Sequence, residues 1–150
     1  MTRQCGLLPF LQYASAVFIV AVPLNYLWEL GQRPLYVGMA DDPTAWWHCF
    51  VASLGDGALV CLIYAVGCFA FRQRDWFARQ NLARTAFIVI AGFIVGLAVE
   101  RLGAQVMHRW TYTATMPLIP GLEVGLVPVV QMMLLPQLIF GIVWGLRLPR

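Results

Sequence analysis

The sequence predicts an all-α integral membrane protein: one bundle of four transmembrane helices that occupies residues 1–150 as a single domain. Hydrophobic residues make up 61% of the chain and charged residues 11%, whereas soluble proteins average about 45–50% and about 25%. A membrane-spanning helix needs about 20 apolar residues. Four runs are long enough, at residues 7–28, 45–71, 84–102 and 126–146, and no polar linker between them could separate two domains.

The positions of the arginines predict how the bundle is oriented. The net charge of +3 comes from a chain without lysine. Most of the basic residues lie at the two ends and in the loop between the second and third runs: Arg3, Arg72, Arg74, Arg79, Arg84, Arg147 and Arg150. Cytoplasmic loops are rich in arginine and lysine. We therefore expect both termini to be cytoplasmic in a bacterial-type inner membrane, and we do not expect nucleic-acid binding.

The outer end of the first run carries a polar stripe. Asn25, Glu29 and Gln32 fall at positions i, i+4 and i+7, which places them on one face of a helix. Trp28 beside them is typical of the membrane interface. Two interpretations remain open: Glu29 is solvated among lipid headgroups, or the three side chains face the interior of the bundle.

The second run contains an acid deep in the membrane. His48, Ala52 and Asp56 share one helix face, and Asp56 lies roughly 12 Å below His48 at about 1.5 Å per residue. Ionisable residues at such depth usually face the bundle interior, where they pair with another polar group or serve a function. A hydrogen bond between helices is the structural alternative, which Gly55 and Gly57 would permit. We favour a functional role for Asp56 and an interfacial position for His48.

The third and fourth runs add further polar residues to apolar helices. Gly92, Gly96 and Glu100 follow one another at four-residue steps, and such glycines let helix backbones pack closely. We expect this face to pack against a membrane partner or a second copy of the chain. Gln131 lies in the fourth run, where a glutamine usually forms hydrogen bonds with other helices.

With this topology the polar groups collect in the outer half of the protein, with Asp56 at its floor. Polar groups that converge in an apolar pocket are the default hypothesis for a binding site. A neutral carboxylic acid there can donate a proton, and aromatic rings can stabilise a cation. We expect Asp56 and Glu100 to act as acid and base, with Glu29 and Glu123 in support. The predicted substrate-binding residues are Asn25, Trp28, Gln32, His48, Trp110, Tyr112 and Gln131.

Residues 109–140, about a fifth of the chain, resemble the end of the small membrane lycopene cyclase domains and related carotenoid hydratases. In that family a Trp-x-Tyr element precedes a glycine, a Pro-x-Glu-Glu motif and an apolar helix with a later proline. The matching residues here are Trp110, Tyr112, Gly125, Pro128, Val129, Val130, Gln131 and Pro136. Val130 and Gln131 replace the two acids. The resemblance implies proton-driven chemistry on an isoprenoid, with Asp56, Glu100 or Glu123 supplying the acid.

Three functions remain open on the sequence. The first is an intramembrane enzyme or binder for an isoprenoid or other lipid. The second is a non-catalytic accessory or assembly subunit, in which the polar groups only hold helices together. The third is a small transporter, although the chain has no internal repeat and its cytoplasmic half has few polar residues. No cofactor is identified, and His48 and His108 lack the spacing that would predict a metal site.

Overall fold

The computed structural model describes residues 7–79 and 81–146 of the chain. Within them lie four long helices: α1 (Leu7–Gln32), α2 (Ala45–Phe71), α3 (Leu82–Glu100) and α4 (Leu126–Gly145). Each helix is long and apolar enough to cross a membrane. The predicted all-α architecture of four long helices is therefore present, and each helix has the length and composition of a membrane span. The terminal arginines, Arg3, Arg147 and Arg150, lie outside the described residues.

The helices follow the predicted apolar runs closely, with one difference that matters for the site. α1 extends a full turn beyond the predicted end at residue 28, so Glu29 and Gln32 lie on a regular helix. α1 also continues through Pro23, and α4 continues through Pro136. Membrane helices tolerate internal prolines when neighbouring groups satisfy the freed backbone carbonyl.

α1 packs between α2 and α4, and α3 packs on the other side of α4. The contact between α3 and α4 is close because it is built on glycine. A methyl group added at Gly92 would overlap the Met132 carbonyl oxygen, and one added at Gly96 would lie 3.1 Å from the Val129 Cα. The predicted close packing is therefore present, but its partner is α4 of the same chain. The expected association with a partner protein or a second copy of the chain stays a prediction.

The loop between α2 and α3 is anchored by aromatic side chains in the bundle. Trp76 and Phe77 lie in a single turn of 3-10 helix (Trp76–Ala78) and are almost completely buried. The Trp76 indole donates a hydrogen bond to the Tyr64 carbonyl oxygen at 3.2 Å, and its ring occupies the space that a side chain at Gly67 would need. This contact holds the arginine-rich loop at a fixed position against the end of the bundle.

The opposite end is covered by the chain that joins α3 to α4. A π-helical segment, Arg101–Val106, extends α3, and a short hairpin of β1 (Leu118–Ile119) and β2 (Val124–Gly125) leads into α4. Between them the chain pairs with the segment that follows α1, through hydrogen bonds of 2.9 Å from Val37 N–H to Thr111 O and from Thr113 N–H to Leu35 O. This pairing brings the ends of α1 and α3 together.

We expect Gly92→Ala to destabilise the bundle, because the added methyl group must push α3 away from the α4 backbone. Overpacking of this kind typically costs about 1–3 kcal/mol. Unfolding of the purified protein in detergent would measure the change. The matched control is Gly141→Ala, at an exposed position of α4 where a methyl group meets nothing within 4 Å. Equal stability of the two variants would contradict the proposed α3–α4 contact.

Candidate functional site

Three helices contribute to one network of amide and carboxyl groups, which we call the acid–amide cluster: Asn25, Glu29, Gln32, Asp56 and Gln131. The Gln131 amide of α4 donates to Asn25 Oδ1 at 2.8 Å and to Asp56 Oδ2 at 3.0 Å. Gln32 donates to Glu29 Oε1 at 2.7 Å and to Gln131 Oε1 at 3.3 Å. The network therefore joins α1, α2 and α4 in the apolar interior.

Helical spacing explains how α1 supplies three members of this cluster. Asn25, Glu29 and Gln32 form the stripe predicted from the sequence, and the structure turns it inward: Asn25 and Gln32 are buried and Glu29 is half-buried. The Asn25 side chain also donates to the Ala21 carbonyl oxygen one turn earlier, at 2.9 Å. The stripe therefore faces the other helices, which decides between the two interpretations left open by the sequence.

Glu29 and Asp56 form a carboxyl pair. Their side chains lie within hydrogen-bonding reach of each other and of the Gln131 amide. Two adjacent negative charges repel each other in a poorly solvated site, which disfavours ionisation of both carboxyl groups at the same time. Both side chains are half-buried. Neither residue is therefore completely enclosed by the bundle.

Glu100 is held separately, at the end of α3, by two side chains from the covering loop. Its Oε2 accepts hydrogen bonds from the Tyr112 hydroxyl at 2.5 Å and from the Trp110 indole N–H at 3.3 Å. The Trp110 ring lies where a side chain at Gly103 would be, so the glycine makes this contact possible. Glu100 is only 6% exposed. The Trp-x-Tyr element thus closes over the carboxyl group.

Tyr36 lies beside Tyr112 and near both groups of acids. Its backbone pairs with that of Tyr112, and the two rings lie 5.9 Å apart. Burial, together with the nearby carboxyl groups of Glu100 and Glu29, raises the pKa of the Tyr36 phenol above its usual range. Burial and the hydrogen bond to Glu100 also raise the pKa of Tyr112, to about 12. Both phenols are therefore protonated at neutral pH and are hydrogen-bond donors.

The structure does not bring every predicted residue to this site. His48 is exposed at the start of α2, where its Nδ1 lies 3.4 Å from the Asp42 carboxylate. Glu123 is exposed in the turn between β1 and β2, with a φ of 52°. Neither side chain joins the acid–amide cluster. Trp28 packs against the apolar core beside the cluster, and its indole N–H has no hydrogen-bond partner among the described residues.

An open cleft of about 500 Å³ lies outside the Trp-x-Tyr element. Its lining includes Trp110, Tyr112, Gln105, His108 and Glu123. The Gln105 amide joins two parts of this lining by donating to the carbonyl oxygens of Leu122 and Glu123, at 2.8 and 3.2 Å. The two aromatic residues therefore separate this cleft from Glu100. Among the described residues, no three His, Cys, Asp or Glu side chains converge in a metal-binding arrangement.

Sequence reasoning missed Tyr36 and Gln105. Tyr36 follows the first apolar run directly, and only the pairing of two distant loops places it beside Tyr112. Gln105 lies in the π-helical extension of α3. The period of an ordinary α-helix therefore does not give the direction of its side chain. An aromatic residue just outside a span was the only signal that could have identified Tyr36.

Comparisons of the chain with protein-family models, with curated proteins and with solved structures find no match. The function must therefore be argued from the site itself.

We expect Tyr112→Phe to destabilise the covering loop, because the phenol donates to a buried carboxyl group. A hydrogen bond to a charged group contributes about 1.5–3 kcal/mol. A double-mutant cycle with Glu100→Gln, measured by unfolding in detergent, isolates the interaction. Tyr26→Phe is the control, since it removes a phenol hydroxyl from a ring that packs edge-on against Phe50 of α2. Strictly additive effects would contradict the contact.

Proposed function

We propose that the protein binds an isoprenoid or another unsaturated lipid at the outer end of the bundle and transfers protons to and from it. The observation that carries this proposal is the half-buried carboxyl pair of Glu29 and Asp56 inside a membrane-spanning bundle. Ionisable residues within membrane spans are costly and typically serve a function. A pair that shares one proton provides an acid and a base at the same place.

This pair suits a reaction that moves a double bond or closes a ring. The protonated carboxyl group would donate its proton to one carbon of the double bond, which leaves a carbocation on the next carbon. The partner carboxylate would then remove a proton from an adjacent carbon, so the net charge is restored. The ring faces of Tyr36, Trp110 and Tyr112 lie at the same end of the bundle, and aromatic faces stabilise cations.

The resemblance to the membrane lycopene cyclase domains remains a prediction, and one contact supports it. Gln131 occupies the position of an acid in the family's motif, and its amide binds the Asp56 carboxyl group at 3.0 Å. Asp56 of α2 therefore supplies a carboxyl group beside the position where the family has its own. This arrangement favours an isoprenoid as the lipid.

A second candidate is a non-catalytic accessory subunit. The hydrogen bonds of Gln131 to Asn25 and Asp56 connect three helices and would hold a bundle together without any reaction. In the first function Asp56 exchanges a proton with a bound lipid. In the second function Asp56 only accepts a hydrogen bond that holds the helices together.

We also propose that the ends of the chain face the cytoplasm of a bacterial-type inner membrane. The loop between α2 and α3 supports this orientation, because it carries Arg72, Arg74 and Arg79 and cytoplasmic loops are rich in arginine. The chain that covers the acid–amide cluster would then face outward.

Deuterium transfer tests the proposed reaction. Membranes that contain the protein, incubated in D₂O, should incorporate deuterium into carbon positions of the lipid that copurifies with it, as read by mass spectrometry. Asp56→Asn should lower the rate about a hundredfold or more, because general acid–base catalysis contributes at least that factor. Asp41→Asn, which removes an exposed carboxylate from the outer loop, is the matched control.

No incorporation by the wild-type protein, with Asp56→Asn unfolding readily, would contradict catalysis and favour the accessory subunit. A folded Asp56→Asn variant that incorporates deuterium at the wild-type rate would remove this residue from the mechanism.

Cysteine labelling of intact cells tests the orientation. Ala40→Cys, in the exposed outer loop, should react with a membrane-impermeant maleimide, whereas Arg79→Cys should react only after the membrane is opened. The unsubstituted protein corrects for its own cysteines, of which Cys49 and Cys68 are buried. The reverse pattern would invert the proposed topology.

A further inference from the structure

The acid–amide cluster has more hydrogen-bond acceptors than its own donors can satisfy. Both N–H groups of the Gln131 amide are used, by Asn25 and Asp56, and the Gln32 amide donates to Glu29 and to Gln131. The Gln32 Oε1 atom nevertheless has no hydrogen-bond partner among the described residues, although the side chain is only 4% exposed. A buried acceptor without a donor costs free energy, and a ligand that brings N–H groups would remove that cost.

The cluster also lacks a positive charge. Glu29, Asp56 and Glu100 lie near one another, and in residues 7–79 and 81–146 no arginine or histidine forms an ion pair with any of them. Any ionised member of these three groups therefore has no positively charged partner among the described residues. Buried charges are normally paired, because an unpaired charge in an apolar interior is strongly unfavourable.

The residues of the carboxyl pair are not completely enclosed by the bundle. Glu29 and Asp56 are half-buried, whereas Trp110 and Tyr112 close over Glu100. The α2 surface next to Asp56 is open, since Ala52 one turn outward and Gly55 are both exposed. A molecule with a long apolar tail could therefore place its head on the pair and keep its tail in the lipid.

From these observations we propose that the acid–amide cluster binds the ammonium group of a long-chain amine. The ammonium group would donate its N–H groups to Gln32 Oε1 and to the Glu29–Asp56 pair, and its charge would compensate the carboxyl groups. An ammonium group offers three donors and no acceptor, which matches the surplus of acceptors. This inference goes beyond the proposed reaction and stands without it, because amine binding is measured without any conversion of a lipid.

Binding of dodecylammonium to the purified protein in a neutral maltoside detergent tests the proposal. We expect saturable binding by calorimetry and a raised midpoint of thermal unfolding. Dodecanol, which has the same tail and no charge, should give neither effect. Dodecyltrimethylammonium, which has the charge but no N–H donors, should bind more weakly. Equal effects of dodecylammonium and dodecanol would overturn the proposal.

Two variants locate the site. Glu29→Gln keeps the shape of the side chain and removes its charge, and it should weaken dodecylammonium binding about tenfold or more, as expected for the loss of a charge-assisted hydrogen bond. Asp41→Asn removes a carboxylate from the exposed outer loop and should leave the affinity unchanged. Unchanged affinity in a folded Glu29→Gln variant would overturn the assignment.

An experiment on the wild-type protein tests the same proposal if the Glu29→Gln variant does not fold. A photoreactive long-chain amine should label peptides from α1, α2 or α4 near the cluster, and excess dodecylammonium should prevent the labelling. Labelling that dodecanol prevents equally well, or that lies only at the arginine-rich end of the bundle, would overturn the proposal. Deuterium transfer without amine binding would leave the proposed reaction intact and reject only this inference.

Discussion

The requirement that polar groups inside a membrane find partners within the protein shapes this bundle. Gln131 satisfies it for three helices at once, by donating to Asn25 on α1 and to Asp56 on α2. Without this amide, the Asp56 carboxyl group would face an apolar interior with Glu29 as its neighbour. The position of Gln131 on α4 therefore determines where α1 and α2 can lie, and the carboxyl pair follows from that arrangement.

α3 is held in the bundle by two separate sets of contacts, one to its backbone and one to its acid. Glycines at positions 92 and 96 bring its backbone against α4, while its only acid, Glu100, is bound by the Trp-x-Tyr element of the covering loop. The loop in turn pairs with the chain after α1 through Tyr36 and Tyr112. The glycine contact with α4 thus positions α3, and the covering loop positions the Glu100 carboxyl group.

The helices and the α1 stripe could be predicted from the sequence because both depend on local periodicity. Runs of apolar residues define the four spans, and the spacing of Asn25, Glu29 and Gln32 places them on one face whatever surrounds them. The depth of Asp56 also identified it as a residue that needs a partner, and Gln131 is that partner.

The loops that cover the acid–amide cluster could not be predicted in the same way. Glu123 was expected to support Asp56 and Glu100, but the turn between β1 and β2 leaves it exposed in the cleft lined by Trp110 and Tyr112. Tyr36 joins the site only through an isolated pairing between segments 76 residues apart in sequence. Loop pairings and turn conformations depend on contacts between distant parts of the chain, which residue periodicity does not record.

Infrared spectroscopy of the protein in lipid at neutral pH tests most directly whether Glu29 and Asp56 share a proton. The wild-type spectrum should contain the C=O stretch of a protonated carboxyl group. Because each member of the pair needs the other to hold the shared proton, the band should be lost or displaced in both Glu29→Gln and Asp56→Asn. A spectrum without this band, or a band that neither substitution changes, would contradict the carboxyl pair on which the proposed chemistry rests.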